Sequence, residues 1–153
     1  MTDTEEFIRA VYRMTDGDVL DVEGWRGAFT EDGVFTVAGG SETFTGDEVV
    51  HAVSRMATVL PDIHREVLRV HVAGDVVVAE TLTTGTHLGP FRTPAGPIAP
   101  TGVRISVPSA DFIHLRDGKI ALWHTYVMQN LWYAQLGVHY DFAAAMEASA
   151  ATG

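Results

Sequence analysis

Hydrophobic positions in the first third of the chain recur at helical spacing. Between Thr2 and Asp16, residues Phe7, Ile8, Val11 and Tyr12 fall at i, i+1, i+4 and i+5. Glu5 and Glu6 sit in the first turn, where a helix N-terminus favours negative charge, so the stretch predicts a helix with one apolar stripe. After the Asp16-Gly17-Asp18 break, Val22, Trp25, Ala28 and Phe29 repeat that spacing and predict a second helix, closed into a turn by Glu31-Asp32-Gly33. Val34–Val37 and Glu42–Thr45 read as a small hairpin around Gly39-Gly40. Gly46-Asp47 opens a third helix with Asp47 as N-cap and Val49, Val53, Met56 and Leu60 as its buried stripe, and Pro61 stops it.

From Arg65 onward the period changes. Arg65–Val72, Val76–His87, Val103–Leu115 and Lys119–Met128 alternate or run apolar with β-branched residues. They are separated by Gly74-Asp75, a Pro-rich loop and Asp117-Gly118, the pattern of an antiparallel meander. Leu131, Trp132, Gln135 and Leu136 predict a short helix ended by Gly137, and Tyr140–Ala148 an Ala-rich one. Helices first and a long sheet afterwards is an α+β arrangement: three N-terminal helices cover one face of a curved antiparallel sheet, and a ligand pocket lies between the layers.

Composition narrows the function classes. A chain of 153 residues fits a single domain over 1–153, large enough to bury roughly two-thirds of its unfolded surface. With 20 Asp+Glu against 10 Lys+Arg and no basic run, it is unsuited to nucleic acid or an anionic membrane, which are bound by clustered Lys and Arg. There is no cysteine, hence no disulfide framework and no thiolate chemistry. The first ten residues carry acids where a signal peptide is basic, and no apolar run approaches the ~20 residues that span a bilayer; the expectation is a soluble, cytoplasmic protein. Seven histidines raise the question of a metal, but no H-x-H or H-E-x-x-H spacing is present, and no metal site is expected.

Several short motifs then take on a joint meaning. They are Trp25-x3-Phe29-x2-Asp32, Gly46-Asp47-Glu48, Pro61-Asp62-Ile63-His64 and Gly85-Thr86-His87-Leu88-Gly89. Pro100-Thr101-Gly102, Asp117-Gly118-Lys119-Ile120, Trp123-His124 and Gln135-Leu136-Gly137 complete the series. In this order the chain resembles the SnoaL-like polyketide cyclases and their wider relatives with the nuclear transport factor 2 (NTF2-like) fold. The resemblance implies a cone-shaped domain with a deep pocket, a homodimer or higher homo-oligomer, no metal or organic cofactor, and a small hydrophobic molecule as partner. It implies proton-transfer chemistry on a carbonyl-bearing or polyketide-like metabolite, as cyclase, isomerase or dehydratase. The aspartate base of the cyclases lies seven residues before the Gln of the QLG segment, and here that position is Met128, whose thioether accepts no proton. Two alternatives therefore stand beside the enzyme: a non-catalytic small-molecule binding protein, and an accessory subunit to an oxidoreductase in polyketide tailoring.

With the aspartate missing, other groups are candidates. Simple alternation puts Ile120, Leu122, His124, Tyr126 and Met128 on one strand face. An odd-length loop at Asp117-Gly118 would add Phe112 and His114 to that face. On this reading His124, Tyr126 and His114 are the catalytic candidates, His124 as acid or base and Tyr126 as donor to an enolate. A satisfied core histidine and a half-buried sheet tyrosine are the alternatives. Tyr12, Trp25, Phe29, Met56, Leu60, His64, Glu80, Phe112, Met128 and Trp132 are expected to bind substrate or line the cavity. For Glu80 a salt bridge to Arg69 or Arg104 competes with a site role, and Asp32 and Asp62 read as turn or capping residues. The loop Gly89–Gly102, with four prolines, is either a lid or rim over the pocket or, preferred here, a packing arm against a neighbouring subunit.

Overall fold

The computed structural model describes residues 1–37 and 42–153; the predicted Gly39-Gly40 turn lies outside the described residues. Helix α1 (Asp3–Met14) starts where the Thr2 hydroxyl accepts from the Glu5 amide at 3.2 Å, and its stripe Ile8, Val11 and Tyr12 is buried. Helix α2 (Val22–Ala28) is capped by Asp21 and fastened to the third helix through Trp25, whose indole Nε1 donates to the Val49 carbonyl at 2.9 Å. That third helix, α3 (Val49–Val59), begins only after a 3₁₀ turn over Gly46–Glu48. Asp47 is no cap: its exposed carboxylate pairs with Arg26 at 2.7 Å. Burial of each large apolar side chain on these stripes contributes about 1.5–3 kcal/mol.

The long strands are β3 (His64–Ala73), β4 (Val76–Thr86), β7 (Arg104–Arg116) and β8 (Lys119–Val127), close to the predicted ranges. The N-terminal strand differs from expectation. β1 runs Phe29–Val37, so Glu31-Asp32-Gly33 does not close a turn but bulges inside a strand that pairs with the short β2 (Thr43–Thr45). The sheet order is β2-β1-β8-β7-β4-β3, and β1 runs parallel to β8, so the sheet is mostly rather than wholly antiparallel. The helices and the inner sheet face enclose a core around Tyr12, Trp25, Phe29, Val77, Ile113, Ile120 and Trp123.

The Pro-rich loop folds into a two-stranded hairpin, β5 (Phe91–Thr93) and β6 (Gly96–Ile98). Phe91 stacks on Trp132 of α4 (Gln129–Gln135) with ring centroids 5.1 Å apart, so the arm packs on its own chain. Helix α5 (Phe142–Ala151) buries none of its residues. Among the described residues no helix is long and apolar enough to cross a membrane.

Two details of the sheet decide what faces the helices. The β7–β8 connection is a two-residue turn, not an odd-length one: Arg116 pairs with Lys119, and Asp117 (φ 52°) and Gly118 (φ 75°) both lie in the left-handed region. Immediately afterwards the register slips. Leu115 pairs with Ile120 but His114 with Leu122, which leaves Ala121 as the extra residue of a β-bulge. The same device recurs in β3, where Leu68 is passed over between the Val67–Thr81 and Arg69–Glu80 pairs.

Candidate functional site

The Ala121 bulge shifts the parity of β8. Ile120 and Trp123, three apart, both enter the core, and beyond them Trp123, Thr125 and Val127 face the helices. His124 and Tyr126 therefore point to the outer sheet face, where Tyr126 is 47% exposed and its hydroxyl lies 3.5 Å from His124 Nδ1. Phe112 and His114, cross-strand partners of His124 and Leu122, share that outer face, and Phe112 meets Tyr126 edge-on at 5.6 Å. The pocket role expected for His124, Tyr126, His114 and Phe112 is corrected accordingly: they lie together on the outer sheet face, outside the cavity. Met128, 45% exposed, caps α4 and does not line the cavity either.

The cavity between the layers has a volume of about 110 Å³. Tyr12, Trp25, Met56 and Trp132 line it as expected, joined by Phe35, Phe44, Val53, Arg65, Thr83, Ser109, Asp111, Trp123 and Thr125. Phe29 and Leu60 are buried without reaching it, Phe29 against Trp25 and Leu60 in a second apolar cluster with Ile63 and Trp132. His64 turns outward, its ring Nδ1–H donating to Asp16 Oδ2 at 2.9 Å, and Glu80 pairs with Arg69 at 3.0 Å on the outer face. Asp32 holds Thr30 and Arg116, and Asp62 takes the Thr86 amide and hydroxyl at 2.6 and 2.7 Å, which keeps both carboxyls below the usual range. Among the described residues no group of three or more His, Asp or Glu is placed to hold a metal ion.

The polar centre of the cavity is Asp111, which sequence reading passed over. It lies on β7 at the inward position between Ser109 and Ile113, directly across from Thr125, and is 3% exposed. Tyr12 donates its hydroxyl proton to Asp111 Oδ2 at 2.5 Å, while Oδ1 is buried without a hydrogen-bond partner among the described residues. Burial pushes the Asp111 carboxyl up from its ordinary value; the Thr125, Tyr12 and Trp123 side chains and the Arg65 charge act against the rise without cancelling it. Tyr12 is pushed up in turn, first by burial and then by the Asp111 charge, so it remains a hydrogen-bond donor across the physiological range. Ring packing fixes it, with its edge against Trp123 at 4.9 Å. A second unspent group is Trp132, whose buried indole Nε1 also has no partner among the described residues. The arrangement supplies one desolvated carboxyl, one oriented phenol and one free N–H within an apolar enclosure, which is equipment for moving a proton on a small ligand.

Comparison with known proteins agrees with this architecture. A profile of the SnoaL-like domain matches residues 5–123. No curated protein sequence matches the chain. Among solved structures, AclR from Streptomyces galilaeus, a candidate hydroxylase, superposes with a TM-score of 0.76 at 19% identity, covering 91% of this chain and 87% of AclR. IdmH from Streptomyces antibioticus, a candidate polyketide cyclase, gives 0.74 at 21% identity, covering 90% of this chain and 100% of IdmH. A protein of ketosteroid isomerase-like fold from Catenulispora acidiphila DSM 44928, in complex with trimethylamine, gives 0.72 at 21% identity over 88% of this chain and 94% of that one. At these identities the superpositions establish a common fold, and the differing activities attached to it do not transfer.

Proposed function

The chain belongs to the SnoaL-like domain family, and from that premise we propose that it is a cofactor-independent enzyme that shifts a proton on a small carbonyl compound, with Asp111 in place of the base that Met128 cannot be. The observation that carries this reading is the Asp111 carboxyl itself, sealed in the cavity with Oδ1 unpaired among the described residues and Oδ2 held by Tyr12. Asp111 removes a proton from the carbon beside the carbonyl, and the electron pair moves onto the carbonyl oxygen as an enolate. The Trp132 indole N–H, a donor with no partner among the described residues, is assigned to that oxygen. Return of the proton to a different carbon gives an isomer; attack of the enolate on a second carbonyl closes a ring. Tyr12 acts through Asp111, aiming Oδ1 and favouring the ionised form against the cost of burial.

The test is proton exchange into deuterated water, followed by NMR, with acetoacetate and acetylacetone as probes. Asp111→Asn is expected to slow protein-catalysed exchange by about 100-fold or more, a general-base effect. His124→Ala and Tyr126→Phe are expected to leave it within about twofold. Equal rates for wild type and Asp111→Asn would overturn the assignment. The binding-protein alternative, which Met128 favours, is the conclusion if a probe binds in the cavity and no exchange is catalysed.

A further inference from the structure

Arg65 brings a positive charge to the cavity wall without a direct counterion. Its backbone N–H donates to Asp16 Oδ1 at 2.9 Å and its guanidinium to the Thr15 hydroxyl at 2.8 Å, and that hydroxyl donates in turn to the Tyr12 carbonyl. Asp16, which accepts that backbone N–H, is otherwise taken up: Oδ2 meets the Arg13 guanidinium at 2.6 Å and His64 Nδ1 at 2.9 Å. Among the described residues no carboxylate oxygen comes within the 4.0 Å of an ion pair with the Arg65 guanidinium. Burial pulls the Arg65 pKa down, with Asp111, Tyr12 and Asp16 opposing through space, but a guanidinium remains charged in any protein environment. Two carboxyls share its cavity: Glu42 pairs with Arg55 at 3.4 Å, and Asp111 is held by Tyr12 at a depth where burial favours its neutral form.

A planar guanidinium on the wall of an apolar cavity matches a carboxylate, which it binds through paired, charge-assisted hydrogen bonds. The rest of the lining limits the ligand. Trp25, Phe44, Met56 and Trp132 ask for an apolar body, and a volume of about 110 Å³ is well below the 300–1,000 Å³ of pockets for drug-sized ligands. We infer that the cavity takes a short organic acid, its carboxylate held by Arg65 and its enolisable carbonyl presented to Asp111. This rests on the reading of the same cavity as the reaction site and names its substrate class. It replaces the expected hydrophobic, polyketide-like metabolite with a small anion, and it gives Arg65 the task of fixing which carbon meets Asp111.

The experiment compares butyrate with butyramide, which have the same shape and differ in charge, by calorimetric titration of the intact protein at neutral pH. Butyrate is expected to bind at least about tenfold tighter. Arg65→Gln should abolish the preference. Butyrate binding no tighter than butyramide, or a preference that survives Arg65→Gln, overturns the proposal. Should Arg65→Gln fail to fold, as judged by its melting curve, the wild-type comparison decides alone, with Arg65→Met as the second variant. Binding is read without turnover, so loss of the acid preference and loss of Asp111-dependent exchange are separate failures.

Discussion

The two faces of the sheet draw on the same strands and yet do different chemistry. On the outer face His124, Tyr126, His114 and Phe112 form a cluster of the residue types most often associated with catalysis, and water reaches it freely. On the inner face the polar set includes Asp111, Thr125, Thr83, Ser109 and Arg65, and it is enclosed by aromatic rings. Enclosure is what matters. A carboxyl surrounded by Trp123 and Tyr12 has its ionisation shifted and its hydrogen bonds fixed, whereas a histidine beside a tyrosine at the surface has no cavity in which a ligand could be held. The difference turns on one residue: were Ala121 a paired position and not a bulge, numbering by twos from Ile120 would carry His124 and Tyr126 inward.

The sharpest way to break the comparison is deletion. Removing Val78 from β4, which pairs with β7 without a slip, would turn Ala79, Thr81 and Thr83 away from the helices or force a new bulge. Loss of the folded state by circular dichroism is the expected result. Removing Ala121 should be far milder, about 1 kcal/mol, since Ile120 stays opposite Leu115 and Leu122 opposite His114 while the ladder becomes regular. If deletion of Ala121 unfolds the chain as deletion of Val78 does, the bulge is not what assigns the faces.

This also explains what was legible in the sequence. The meander, the Asp117-Gly118 turn and the helical stripes were readable because each rests on a local rule: period two, positive φ, period 3.6. The face of β8 was not, because Ile120-Ala121-Leu122-Trp123 is apolar throughout and either parity satisfies it. The error then spread across the hairpin to β7 and placed Phe112 and His114 in the pocket. Had β7 been read alone, Ile105, Val107, Ser109, Asp111 and Ile113 form an unbroken alternation into the core, and the single acid in it marks the site. Arg65 carried no comparable signal, because only the fold sets it against Thr15 and the cavity.

Neighbours on β8 sharpen the comparison in energetic terms. Trp123 packs against Tyr12, Trp25, Phe29 and Phe35, whereas Leu122, one residue earlier, lies half-buried on the outer face. Trp123→Ala is expected to cost about 3–5 kcal/mol and Leu122→Ala about 1 kcal/mol in urea unfolding. Equal losses at the two positions would mean that the faces are not distinguished by burial.

The finest test concerns the inner face alone and uses pH. Asp111 has a folded-state pKa above the unfolded value of 3.8. Its neutral form is thus favoured by folding: the stability it contributes is fully present below the unfolded value and is lost as pH rises through the folded one. Tyr12 limits that loss by hydrogen-bonding the ionised carboxylate. Tyr12→Phe keeps the ring against Trp123 but removes this bond, so the Asp111 pKa rises further and ionisation becomes more costly. The variant should lose about 0.5–1.5 kcal/mol at low pH, where a neutral carboxyl gives up an ordinary hydrogen bond. The deficit should widen to about 1.5–3 kcal/mol once wild-type Asp111 is ionised. Urea unfolding of both proteins between pH 4 and pH 9 measures the gap directly. A gap that stays constant would show that the phenol holds Asp111 in place without stabilising its charge, leaving the aim of Oδ1, rather than its ionisation, as the contribution of Tyr12.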